Sequence, residues 1–144
     1  MRPLPLLSIL LLLLAGPRPA TAAEGGVSGA DRAQIRSVIE RQLAAFARDD
    51  GAAAFRFASP AIREYFGSAD RFMHMVESDY GALRRPRSVH FDGARRSGGE
   101  VVQAVDVIGP DGTGARALYF MEREKDGRWR INGVRLAPNG QRES

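Results

Sequence analysis

The last third of the chain is a series of short apolar runs separated by glycine-containing turns. Aliphatic and aromatic residues dominate residues 101–108, 115–123 and 129–136. Each of the two connections between these runs contains an Asp-Gly pair, which favours a tight turn between antiparallel strands. A shorter run at 87–91 precedes Asp92-Gly93 and predicts one more strand that ends there. The pattern therefore predicts an antiparallel sheet of about four strands.

The region before these strands has helical periodicity. Apolar residues recur at spacings of three and four up to about Arg48, and further helices are predicted at 52–58, at 60–66 and from 69 to about 80 or 83. Each helix is preceded by a residue or segment that suits the N-cap position: Ser28, Asp49-Asp50-Gly51, Ser59 and Ser68. The sequence thus predicts an α+β domain in which N-terminal helices pack on one face of the sheet.

The last strand contains a slip in its alternation. Trp129 and Ile131 are two residues apart, and so are Val134 and Leu136, but the phase changes by one residue at Asn132-Gly133. A slip of one residue at a glycine indicates a β-bulge, which bends a strand and increases its twist. We therefore expect a strongly bent sheet with a concave side facing the helices.

Several short motifs occur in an order that resembles a known family. They are Ile35…Gln42…Phe46, Ala58-Ser59-Pro60-Ala61-Ile62, Gln103-Ala104-Val105, Gly109-Pro110-Asp111-Gly112 and Trp129-Arg130-Ile131. Together they resemble the uncharacterised bacterial family called domain of unknown function 4864, in the nuclear-transport-factor-2-like superfamily. The resemblance covers most of residues 30–136 and implies a cone-like α+β fold. It leaves the function open, because that superfamily hosts isomerases, dehydratases, ligand binders and protein-binding modules.

The N-terminus has the order of a secretory signal peptide. A basic start at Arg2 is followed by an apolar run from 4 to 15 and by the small residues Ala20-Thr21-Ala22. We predict cleavage after Ala22, with Ala23 as the alternative. The apolar run is too short for a membrane anchor, so no membrane span is expected after signal removal.

The predicted organisation is a signal peptide at 1–22, a flexible lead-in at 23–30, a single α+β domain at 31–136 and a disordered tail at 137–144. The expected location is exported, either periplasmic or secreted.

Composition limits the chemistry that is available. The chain has 21 Lys and Arg against 17 Asp and Glu, a net charge of +4; loss of Arg2 and Arg18 with the signal leaves 19 against 17, or +2. A charge this small does not indicate a nucleic-acid partner. Without cysteine there is no thiol catalysis and no thiolate metal site. His74 and His90 lack the spacing of metal ligands, so we expect neither a metal nor another cofactor.

The resemblance implies that an enzyme of this superfamily would place an acid or a base on the concave sheet face. Asp106 is the carboxylate in the middle of a strand and the best candidate, with His90 as its alternative and Tyr80 or Tyr119 as hydrogen-bond donors. However, Asp106 alternates with core-like valines, which predicts that it faces solvent. The residue pattern favours a protein without catalytic residues.

Two glutamines lie on faces that are otherwise apolar. Gln42 falls within the apolar stripe of the first helix, and Gln103 shares a strand face with valines. Either the two amides converge on a small-ligand pocket, together with Tyr80 and Tyr119, or each satisfies a backbone group at a helix end or a bulge. Since neutral amides bind ligands but do not transfer protons at neutral pH, binding is preferred over catalysis.

Three functions follow as hypotheses. The first is a non-catalytic module that holds a small apolar or amphipathic ligand, or a protein partner, on the concave sheet face. The second is a cofactor-free isomerase, dehydratase or hydrolase that uses Asp106 or His90. The third is a structural homodimer, because strands that are apolar on both faces can pair with a second copy.

Overall fold

Four helices precede four strands in the computed structural model, which describes residues 24–138. The helices are α1 (Gly29–Ala47), α2 (Gly51–Arg56), α3 (Pro60–Phe66) and α4 (Ala69–Asp79). The strands are β1 (Ser88–Ser97), β2 (Glu100–Ile108), β3 (Gly114–Arg123) and β4 (Trp129–Pro138). Short 3-10 turns lie at Glu24–Gly26 and Gly81–Leu83. The predicted signal peptide at 1–22 and residues 139–144 of the predicted tail lie outside the described residues.

All four helices begin where local sequence chemistry predicts. In each case the N-cap side chain accepts a hydrogen bond from the backbone N–H three residues later; the caps are Ser28, Asp50, Ser59 and Ser68. Such a bond satisfies one of the backbone donors that a helix start leaves without a partner. At its other end, α3 stops at Gly67, whose φ of 75° suits glycine and terminates the helix.

The strands form one open antiparallel sheet in the order β1-β2-β3-β4. The helices pack on one of its faces, where Val105 and Ala117 of the sheet and Ile35 and Ile39 of α1 are fully buried in a common core. This arrangement confirms the predicted α+β class with N-terminal helices packed on a four-stranded antiparallel sheet.

The predicted bulge in the last strand is present. Phe120 pairs with Gly133 and Met121 with Ile131, which leaves Asn132 as the extra residue of β4. The same segment binds the helical half: the Ser59 backbone N–H donates to the Ile131 carbonyl at 2.8 Å, and the Ser59 hydroxyl donates to Asn132 Oδ1 at 2.8 Å. The bulge therefore joins the start of α3 to the edge of the sheet.

The end predicted for the first strand is wrong. β1 does not stop at Asp92-Gly93 but continues to Ser97 through a second bulge between Phe91 and Ala94. The reason lies on the neighbouring strand, where Gln103 Nε2 donates to the carbonyls of Asp92 at 2.8 Å and Gly93 at 3.4 Å. A side chain of β2 thus satisfies the backbone groups that the bulge takes out of the ladder.

The structured part of the chain is longer than predicted at both ends. Within the lead-in, Val27 is fully buried, and Arg96 Nε of β1 donates to the Gly26 carbonyl at 2.8 Å. At the other end, Ala137 and Pro138 belong to β4 and pair with β3. Val27 belongs to the common core, so the residues before α1 are packed on the sheet.

Candidate functional site

A half-enclosed cavity of about 310 Å³ lies between the helices and the bulged edge strand. Its walls come from α1, α3, α4, the turn at Gly81–Leu83 and β4. Most of the lining side chains are apolar, among them Phe46, Ile62, Phe66, Phe72, Val76 and Leu83. An apolar concavity of about 300 Å³ or more with a few polar groups is typical of small-molecule sites.

An aromatic cluster forms one wall of this cavity. Phe66 of α3 contacts the edge of Phe72 of α4, with ring centroids 5.7 Å apart, and Tyr65 meets Phe66 at 5.0 Å in the same edge-on geometry. Phe46 of α1 extends the cluster at 6.2 Å from Phe72. Tyr65 is 81% exposed, so the cluster reaches from the core to the cavity mouth. These contacts fix the mutual position of three helices around the cavity.

Three polar side chains line the cavity with these aromatic residues. Gln42 is buried, and its Nε2 donates to the Ala54 carbonyl of α2 at 3.2 Å, while its Oε1 accepts no hydrogen bond within residues 24–138. The Tyr80 hydroxyl donates to the Val134 carbonyl of β4 at 2.9 Å. Asp79, at the end of α4, contributes a carboxylate at the rim. The cavity thus combines apolar walls with oxygen atoms that can accept hydrogen bonds.

The other two residues predicted for a pocket lie elsewhere. Gln103 and Tyr119 pair across β2 and β3 on the helix-covered face, and neither lines the cavity. The Gln103 amide is already bonded to the backbone: its Nε2 donates to the Asp92 carbonyl in the β1 bulge and to the Ala104 carbonyl of β2 at 2.9 Å. Tyr119 is fully buried, and its hydroxyl has no hydrogen-bond partner among the described residues. Burial raises the pKa of Tyr119 above the ordinary tyrosine value.

The two acid–base candidates lie on the opposite face of the sheet. Arg116 holds Asp106 through two bonds of 3.0 Å and reaches Asp92 at 2.6 Å. The hydrogen bond from Arg116 lowers the pKa of Asp92 below its usual range. His90 is exposed and pairs with Asp106 across β1 and β2. Neither Asp106 nor His90 lines the cavity, so the geometry lends no support to acid–base chemistry there by these two residues.

Comparison with known proteins identifies the family. The family described as a domain of unknown function (DUF4864) matches residues 28–144. The chain belongs to this family. Comparison with curated proteins finds no match for this DUF4864 chain.

A solved structure supports the fold of this DUF4864 domain. A crystal structure from Nostoc punctiforme, of a protein of unknown function with a cystatin-like fold, is similar with a TM-score of 0.55 and 9% sequence identity. The likeness covers 79% of this chain and 95% of that chain. At this identity it shows the fold alone, and it does not confirm the predicted membership of the nuclear-transport-factor-2-like superfamily.

The described part of the DUF4864 chain contains neither a candidate metal site nor a membrane-spanning helix. No group of three or more His, Asp or Glu side chains within residues 24–138 is placed to hold a metal ion. Among the same residues, no helix has both the length and the apolar character needed to cross a membrane.

Asp79 is the charged residue among those lining the cavity, and it was not one of the candidates predicted from the sequence. It lies three residues after Val76 and seven after Phe72, which places it beside the apolar stripe of α4. Gln42 was selected because it lies within an apolar helical stripe; a criterion that also included polar residues at the edge of a stripe would have selected Asp79. That Asp79 and Gln42 meet at one cavity depends on how α1 and α4 pack, which helical spacing alone does not specify.

Proposed function

We propose that this DUF4864 protein is a non-catalytic binding protein whose cavity holds a small, largely apolar ligand. The observation that carries the proposal is the 310 Å³ cavity itself, with its aromatic wall and the buried Gln42 amide. A neutral amide on an apolar wall suits orientation of a ligand rather than proton transfer. A half-enclosed concavity of this size suits a small molecule better than a protein surface, which needs a broad contact area.

The contacts of Gln42 support a binding role. Its donated bond to Ala54 fixes the side chain against α2, so the amide plane is held in place before any ligand arrives. An acceptor oxygen held in a fixed position costs little conformational entropy when a ligand binds. Gln42 therefore connects the packing of α1 on α2 with recognition in the cavity.

Binding is testable with a neutral fluorescent probe whose emission depends on polarity, such as prodan. We expect saturable binding to the wild-type protein and a Kd at least about tenfold weaker in Ile62→Trp, where an indole would fill the half-buried mouth of the cavity. Gln103→Met is the matched control, because it removes a buried amide that does not line the cavity. Equal binding by wild type and Ile62→Trp, with folding verified by circular dichroism, would contradict the proposal.

Native mass spectrometry of protein purified from its own cell envelope provides the complementary test. A co-purifying small molecule that is lost in Ile62→Trp supports the binding role. A wild-type protein that carries no extra mass and shows no thermal shift with apolar compounds argues against it. The same spectrum reports the number of chains in the assembly, and thus addresses the homodimer hypothesis.

We also propose that the protein acts outside the cytoplasm. The support is the order of basic, apolar and small residues over 1–22. N-terminal sequencing of the protein recovered from the periplasm or the medium should give Ala23 as the first residue. A cytoplasmic protein that retains Met1 would contradict this localisation.

A further inference from the structure

We propose that the cavity selects amphipathic amines: ligands with a short apolar body and a positively charged ammonium head. This inference rests on the binding function proposed above and names the chemical class of its ligand. It starts from the charges around the cavity. Asp79 is the one acidic lining residue among those described, and no Arg, Lys or His lines the cavity, although arginine is abundant in the chain.

Asp79 has no counter-charge of its own. The arginines that follow it in sequence are paired with other carboxylates: Arg84 contacts both Asp49 and Glu77, and Arg85 holds Asp49 at 2.8 Å. Arg71 and His74 line a separate surface pocket together with Asp79, but neither forms an ion pair with it among the described residues. Within residues 24–138, Asp79 makes neither an ion pair nor a side-chain hydrogen bond. A carboxylate without a cation beside an apolar cavity attracts a cationic ligand and repels an anionic one.

The hydrogen-bonding groups of the cavity also favour a cationic ligand. The Tyr80 hydroxyl has given its proton to Val134, so its oxygen is left to accept, and Gln42 Oε1 is also an acceptor without a partner among the described residues. With the Asp79 carboxylate, these make three acceptors, against the second N–H of Gln42 and the exposed hydroxyl of Tyr65 as donors. An ammonium group, which only donates, fits this set better than a carboxylate, which only accepts.

The aromatic wall favours the same head group. Tyr65, Phe66 and Tyr80 line the cavity together with Asp79. The face of an aromatic ring attracts a cation through its quadrupole, and a nearby carboxylate adds a Coulombic attraction of its own. An amine with a short alkyl chain would thus place its chain among the phenylalanines and its head near Asp79.

The test compares three ligands that share one chain length: octylamine, octanol and octanoate. Displacement of prodan at neutral pH measures each Kd on the full wild-type protein. We expect octylamine to bind at least about tenfold more tightly than octanoate, with octanol between them. The preference for octylamine should weaken as salt is raised, because the rim carboxylate is exposed to solvent.

Two variants separate the charge effect from the cavity. Asp79→Asn should bring the affinity for octylamine close to that for octanol, while octanol itself binds as before. Glu64→Gln is the control, because it removes an exposed carboxylate of the neighbouring helix that does not line the cavity, and it should leave the preference intact.

The outcomes distinguish this inference from the function on which it rests. If all three ligands bind the wild type equally, or octanoate binds best, and Ile62→Trp weakens them all, the cavity binds ligands but the amine preference is wrong. The same holds if Asp79→Asn leaves the octylamine preference unchanged. If none of the three ligands displaces prodan, although prodan binds the wild type and binds Ile62→Trp more weakly, the amine inference is wrong and the binding function stands. If Ile62→Trp binds prodan as well as the wild type does, the binding function fails as well.

Discussion

On the helix-covered face of β2 and β3 the buried polar side chains are neutral, whereas the outer face of the same strands carries an ion pair between Asp106 and Arg116. Gln103 and Asp106 show the contrast on a single strand. Gln103 gives its N–H groups to backbone carbonyls, and Asp106 binds Arg116 through two bonds of 3.0 Å. An amide satisfies buried carbonyls without the cost of removing a full charge from water, while ion pairs suit the side that water reaches.

Asp79 differs from the carboxylates Asp92 and Asp106 of the outer face in having no arginine partner among the described residues. It lies at the cavity on the helix side. We therefore expect substitutions on the helix side to change stability through lost hydrogen bonds and altered burial. On the outer face they should act through electrostatic interactions that salt screens.

The largest expected effect is on the helix-covered face, at Gln103. Gln103→Met removes a buried amide that donates to the carbonyls of Asp92, Gly93 and Ala104, which should lower the free energy of unfolding by about 1–3 kcal/mol. Urea denaturation measures the loss. For comparison, Gln42→Met removes a single bond to Ala54 and should cost about 0.5–1.5 kcal/mol. A smaller loss for Gln103 than for Gln42 would contradict the role assigned to the bulge.

Removal of the hydroxyl group should affect stability differently at two tyrosines on the helix-covered side of the sheet. Tyr80→Phe removes the bond to the Val134 carbonyl and should lower the unfolding free energy by about 0.5–1.5 kcal/mol. Tyr119→Phe removes a fully buried hydroxyl without a partner among the described residues, so stability should stay equal or rise. Thermal denaturation of both variants checks the ordering. Marked destabilisation by Tyr119→Phe would mean that its hydroxyl has a bonding partner.

On the outer face, Asp106→Asn should have a smaller effect. The ion pair with Arg116 is partly exposed, so its loss should cost about 0.2–1 kcal/mol, and the cost should shrink further at high salt. Binding of prodan should be unchanged, because Asp106 does not line the cavity. A loss of binding in Asp106→Asn would reverse the assignment of the two faces.

The smallest expected change in the free energy of unfolding is at Glu122, and this change depends on pH. Burial, a hydrogen bond with Glu124 and the charges of Glu124 and Glu100 raise the pKa of Glu122 in the folded state. Between the ordinary value of 4.5 and this raised pKa, the folded protein binds more protons than the unfolded chain. Stability should therefore fall as pH rises through that range.

Glu122→Gln tests this directly. Because the variant has no proton to lose, it should gain stability relative to the wild type as pH rises from about 4 to about 8, and the two should converge in acid. Urea unfolding across this pH range measures the difference. A wild-type advantage that grows with pH would contradict the raised pKa. Glu64→Gln, which removes an exposed carboxylate on a helix, is the control.

Local chemistry explains which parts of the structure could be predicted. Ser59 is followed by proline and Ser68 by a run of helix formers, and both caps form from contacts within three residues. The bulge at Asn132 was visible because alternation of side chains across a strand has a strict period of two. Features of this kind depend on neighbours in sequence and are therefore encoded locally.

The candidate site was predicted only in part for the opposite reason. Gln42 and Gln103 share a sequence signature, an amide on an apolar face, yet only Gln42 reaches the cavity. The strand end expected at Asp92-Gly93 was wrong because Gln103, ten residues later, accommodates the bulge from the next strand. Neither outcome can be read from the spacing of residues along one element.

The sequence by itself determined the order of the elements, the starts of the helices and the bulge in β4, because caps and alternation act over a few residues. The tertiary structure decided which polar side chains meet: Gln42 with Tyr80 and Asp79 at a cavity, and Gln103 with the backbone of β1. These contacts and shared sites depend on how α1 and α4 pack against the bulged edge of the sheet. That geometry is long-range, because core packing sets it and no local sequence pattern does.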